Sequence, residues 1–112
     1  MLRLTSLGMI ALTAVLGSCG VAAAADGVTV QLTLKDHVFT PAEATVESGK
    51  PITIEVTNAD PTPAEFESKQ LRVEKLVVAG GKISLQVRAL TPGRYTFVDD
   101  QPPGTEGILV VK

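Results

Sequence analysis

The chain has 112 residues, with 10 Lys+Arg against 12 Asp+Glu and a single His, for a formal net charge of −2. Charges of both signs are interspersed with a slight acidic excess, which argues against a nucleic-acid-binding face or a surface drawn to anionic lipid. The only cysteine is Cys19 and the only methionines are Met1 and Met9, so no disulfide forms within the chain and no sulfur donor lies beyond residue 19.

Met1-Leu2-Arg3-Leu4 supplies one positive charge, and the run from Leu4 to Leu16 carries none. This is the pattern of a secretory signal peptide over residues 1–25, too short in its apolar part to anchor the chain across a bilayer. Ala23-Ala24-Ala25 before Asp26 reads as an A-x-A cleavage site that releases a soluble exported protein. Leu16-Gly17-Ser18-Cys19 offers the other route, a lipobox in which Cys19 is lipidated and becomes the N-terminus of a lipoprotein. Cleavage after Ala25 leaves one domain over residues 26–112. Loss of Arg3 sets 9 basic against 12 acidic residues there, a net charge of −3. Such a small chain buries only about 60–65% of its unfolded surface and has room for one core.

Val28, Val30, Leu32 and Leu34 alternate with Thr29, Gln31 and Thr33, the period of a half-buried strand. Phe39-Thr40-Pro41 interrupts that pattern, Ala44 to Glu47 forms a short strand, and Ser48-Gly49-Lys50-Pro51 turns it. Ile52, Ile54 and Val56 alternate with Thr53, Glu55 and Thr57 in a third strand that ends at Asn58. Two prolines and two Asx residues in Asn58-Ala59-Asp60-Pro61-Thr62-Pro63 take the chain out of the sheet. Ala64–Ser68, Val73–Val78 and Ile83–Val87 read as further strands, with Gly80-Gly81 as a turn and β-branching favouring strand over helix. Leu90-Thr91-Pro92-Gly93 turns into a strand through Tyr95 and Phe97, and Ile108–Val111 is the last. No segment has helical periodicity. The expected fold is all-β, a sandwich of about seven strands.

Three groups of residues resemble the cupredoxin family. They are Phe39-x-Pro41-Ala42 with Val46-x-x-Gly49, Ile54-x-Val56-x-Asn58, and Leu90-x-Pro92-Gly93-x-Tyr95-x-Phe97 followed by Gly107-x-Leu109-x-Val111. The resemblance covers the whole exported part and is strongest to the small EfeO-type cupredoxin-like proteins associated with bacterial iron uptake. It implies a Greek-key sandwich in which two loops converge at one end, where blue-copper members hold the metal with two His, a Cys and a Met. In this chain the cysteine position falls on Asp99, one histidine position on Pro102 and the other on Ala64 or Glu65, and the methionine position on Thr105 or Glu106. Type 1 copper is therefore not expected.

Oxygen donors stand in these loops instead. Glu65 and Glu67 in one, and Asp99 and Asp100 in the other, are hard ligands suited to iron(III), manganese or calcium. His37, the only imidazole, is an additional candidate. The resemblance implies an accessory periplasmic protein of iron uptake, holding or handing on an iron ion beside a membrane iron permease or another periplasmic iron-uptake component. The competing reading is a degenerate cupredoxin serving as a metal-free interaction module, with these acids as solvated loop residues. No nucleophile–His–acid set and no phosphate loop is present, so an enzyme is not expected; the one activity left open is iron(II) oxidation at the carboxylates, since oxygen ligands favour iron(III).

Overall fold

The computed structural model describes residues 27–112. The signal-peptide, Ala25 and Cys19 readings lie outside these residues. Among the described residues there are nine strands and no helix: β1 Val28–Lys35, β2 Val38–Thr40, β3 Glu43–Val46, β4 Ile52–Asn58, β5 Ala64–Ser68, β6 Val73–Val77, β7 Lys82–Val87, β8 Gly93–Asp99 and β9 Thr105–Val111. They form a four-stranded sheet in the order β2-β1-β4-β7 and a five-stranded sheet in the order β3-β9-β8-β5-β6, packed as a sandwich.

The sheet interiors follow from the period of two. β1 and β4 run parallel, with Val30 opposite Ile54 and Leu32 opposite Val56, and these four side chains are buried. The facing sheet contributes Phe66, Phe97, Leu109 and Val111. Burying a side chain of this kind contributes roughly 1.5–3 kcal/mol. Phe39 of β2 crosses between the layers, its ring 5.0 Å from Phe97 and 6.1 Å from Phe66, edge-on to both. Such aromatic pairs contribute about 0.5–1.5 kcal/mol each beyond area burial. Room for Phe97 comes from Gly107 opposite it on β9, where an added Cβ would lie 2.5 Å from the ring.

Two elements differ from the sequence-based expectation of about seven strands. Where Phe39-Thr40-Pro41 is expected to break the pattern, Val38–Thr40 is a strand hairpinned onto β1 with Lys35 opposite Val38. The two-residue turn between them has both Asp36 (φ 51°) and His37 (φ 59°) in the left-handed region, as the tightest hairpins require. The last strand begins at Thr105 rather than Ile108, because Thr105 pairs with Asp99.

One end of the sandwich collects the β1–β2 turn, the loop 59–63, the β6–β7 turn and the β8–β9 loop. Leu34 at the end of β1 is level with Asn58 at the end of β4. Asn58 donates to the carbonyls of Val77 and Val78 at the end of β6. Val77 in turn pairs with Ala64 at the start of β5, and the next residue, Glu65, accepts from the Asp100 N–H through its carbonyl.

Candidate functional site

At this end the chain fastens itself with side chains. Asn58 is fully buried. Its Nδ2 donates to the Thr62 carbonyl at 2.8 Å and to the Val77 carbonyl at 3.1 Å, while its Oδ1 accepts from the Asp60 N–H at 3.0 Å. A buried amide with both ends satisfied fixes the loop 59–63 against the β6–β7 turn.

Asp60, also buried, accepts the N–H groups of Asp36 and His37 on its two carboxylate oxygens. The strained turn thus has its two backbone donors met by one anion. The His37 N–H foremost, then that of Asp36 and the charges of His37 and Lys35, hold the Asp60 carboxyl below its usual range, against the opposing effect of burial. His37 lies at the same end of the sandwich as the acids of the β4–β5 and β8–β9 region. Its Nδ1, however, is turned to Asp60, 3.9 Å from Oδ2.

The four candidate carboxylates separate into two environments. Asp99 points inward, 4% exposed, level with Phe66 on the neighbouring strand. Its Oδ1 accepts from the Glu65 N–H and the Gln101 N–H, both at 3.0 Å. With the Asp100 N–H donating to the Glu65 carbonyl at 2.9 Å, both backbone groups of Glu65 are held by residues 99 and 100. Asp99 occupies the position that the family resemblance gives to the copper cysteine, and there it works as a hydrogen-bonding cap between the start of β5 and the β8–β9 loop.

Glu65 and Glu67 alternate with the buried Ala64, Phe66 and Ser68, and so lie on the outer face of the five-stranded sheet. Glu67 stands opposite Glu74 of β6 on one side and Val98 of β8 on the other. Burial first, then the charges of Glu74, Asp100 and Glu67 and a hydrogen bond with Glu74, push the Glu65 carboxyl up from its ordinary value. Glu65, Glu67 and Asp100 are therefore brought together with Glu74, and Asp99 is set apart on the inner side. Among the described residues no group of three or more His, Cys, Asp or Glu side chains is arranged to hold a metal ion. The donor set also lacks the sulfur and paired imidazoles of a blue-copper centre.

Sequence reasoning did not single out Asn58 and Asp60 beyond their loop, nor Glu74. The Asx-x-Asx spacing of Asn58 and Asp60 is the signal for the first two, since such side chains close turns on backbone donors. Glu74 joins Glu65 and Glu67 only through the β5–β6 register.

Residues 8–111 match the profile of a cupredoxin-like domain. An uncharacterized protein of Rickettsia prowazekii (strain Madrid E), RP394, is 36% identical over 83 residues, covering 73% of this chain and 66% of that protein, so the chain spans slightly less than two thirds of its length. Among solved structures, the metal-binding domain of the Streptococcus pneumoniae D39 Cu(I)-exporting P-type ATPase CopA superposes with a TM-score of 0.69 at 16% identity, over 78% of this chain and 88% of that one. Auracyanin A, a blue copper protein of Chloroflexus aurantiacus, superposes with a TM-score of 0.66 at 18% identity, over 77% and 99%. At such identities these superpositions establish the fold.

Proposed function

This chain belongs to the cupredoxin-like domain family, and from that premise we propose that it works by contact with a partner protein as an exported accessory factor, without a type 1 copper. The observation that carries this reading is the fate of Asp99. At the cysteine position a carboxylate is buried and its Oδ1 is engaged with the N–H groups of Glu65 and Gln101. The end of the sandwich is closed by hydrogen bonds to Asn58, Asp60 and Asp99, so its loops need no metal to hold them. A rigid end on a small sandwich is a platform for recognition, since loops on a fixed scaffold carry binding residues with little ordering cost.

A second reading keeps the iron-uptake role, with the ion handled transiently at surface carboxylates beside an iron permease. It is favoured by the outer-face group around Glu65, where Glu67, Glu74 and Asp100 crowd one carboxyl with like charge. Hard oxygen donors of this kind suit iron(III). Metal analysis of the protein purified from its native compartment separates the two. The contact reading expects no stoichiometric metal, whereas one iron per chain, lost on Glu65→Gln with Glu67→Gln, would establish the iron reading in its place.

A further inference from the structure

On the outer face of the five-stranded sheet, β5 ends at Ser68 while its neighbour β8 starts five residues before their first paired position, Val98. Side chains fill the step. Gln70 donates from Nε2 to the Arg94 carbonyl at 3.2 Å and accepts from the Thr96 N–H at 2.8 Å, and Ser68 Oγ donates to the Thr96 carbonyl at 2.7 Å. The backbone edge of β8 is thus satisfied, and beside it a groove of about 300 Å³ remains, lined among others by Glu67, Lys69, Gln70, Thr96, Val98 and Asp100. The step has a fixed shape, because both ends of the Gln70 amide are engaged.

We propose that this groove receives a lysine or arginine side chain from an extended, basic segment of a partner protein. The proposal rests on the contact reading above and names the chemistry of the partner. The lining matches an amphipathic cation: Val98 and Thr96 offer apolar surface to an aliphatic stem, while Glu67 and Asp100 offer oxygen to the charged head. A hydrated metal ion has no use for the apolar part. Charge points the same way. Glu43, Glu47 and Glu55 each have a cationic partner, whereas among the described residues no ion pair involves Glu65, Glu67, Glu74 or Asp100. Four carboxylates on one face are thus left to an external cation, and the exposed Leu76, opposite Glu65, adds apolar surface beside them. Lys69 also lines the groove, and its charge opposes the incoming cation.

The test is a fluorescence anisotropy titration of the protein with a labelled octapeptide alternating lysine and valine, beside a peptide with glutamate for lysine, and with backbone amide shifts followed by NMR. The lysine peptide is expected to bind with an affinity that falls as salt rises, shifting the amides of Glu67, Gln70, Val98 and Asp100. The glutamate peptide is expected not to bind. Glu67→Gln with Asp100→Asn should weaken binding several-fold, the loss of two exposed charge pairs. Lys69→Gln should tighten it and Glu47→Gln should leave it unchanged. Failure of the lysine peptide to bind, equal binding by the double variant, or shifts elsewhere on the sandwich overturn the groove assignment. Stoichiometric resident metal in the native protein overturns instead the contact reading on which it rests.

Discussion

The backbone N–H of Glu65 is bonded to the carboxylate of Asp99 at 3.0 Å, although the side chains of the two residues leave the sheet on opposite sides. This relationship divides the acids of the site. One is a structural acceptor, and the others form a surface charge.

Neutralising Glu65 should stabilise the protein near neutral pH. Its carboxyl is raised in the folded state by burial and by Glu74, Asp100 and Glu67, so the cost of its charge is absent below the unfolded value near 4.5 and grows as pH rises through the folded value. Glu65→Gln removes this slope. In melts from pH 4 to 7 the variant should gain on the wild type as pH rises, and added salt should narrow the difference. An unchanged pH profile would mean that the outer-face charges do not interact.

Asp60 has the opposite sign. Its carboxyl is lowered in the folded state, so its stabilisation is complete above the ordinary value near 3.8 and is lost as pH falls through the folded value. The protection of the Asp36 and His37 amides against hydrogen exchange, taken relative to the intrinsic rate at each pH, should fall in that acid range before that of the β1 and β4 amides does. Asp60→Ala should abolish this protection at all pH values. Simultaneous loss throughout the sheet would contradict a local role for Asp60.

The strands with clean alternation were readable from the sequence, because Val28–Leu34 and Ile52–Val56 each present one apolar face to one core. The β2 hairpin was not, since neither Asp36 nor His37 is the glycine that such a turn favours. The turn is held by Asp60, 24 residues from Asp36, and no local pattern carries that information. The same period of two bears on the candidate site. Two residues on from the inward Phe97 lies Asp99, and flanking the inward Phe66 lie Glu65 and Glu67 on the other face. Grouping the four acids by loop passes over this phase, and the approach of Glu74 depends on a register that only the folded sheet displays.

Gly107→Ala should destabilise by about 1–3 kcal/mol, the usual cost of forcing atoms into a packed core. The new methyl would lie 2.5 Å from the Phe97 ring and 3.1 Å from the Ala42 carbonyl, against a side chain already fixed by Phe39 and Phe66. Denaturant unfolding measures this directly, and a change within 0.5 kcal/mol, roughly the scatter of neutral surface changes, would show that the Phe97 cluster yields easily.

Copper(II) added to the Cys19→Ser chain should give no intense blue thiolate-to-copper band, since Cys19 is the only cysteine. The appearance of such a band would refute the ligand argument.

The central claim, that Asp99 closes the loop end by hydrogen bonding, is tested most directly by denaturant unfolding of metal-free Asp99→Ala and Asp99→Asn. Alanine leaves the Glu65 and Gln101 N–H groups without their acceptor and should cost about 2–4 kcal/mol, while asparagine keeps an oxygen in place and should cost about 1 kcal/mol. If Asp99 is instead an acid awaiting a cation, both variants relieve repulsion, and metal-free stability would hold or rise in the two alike.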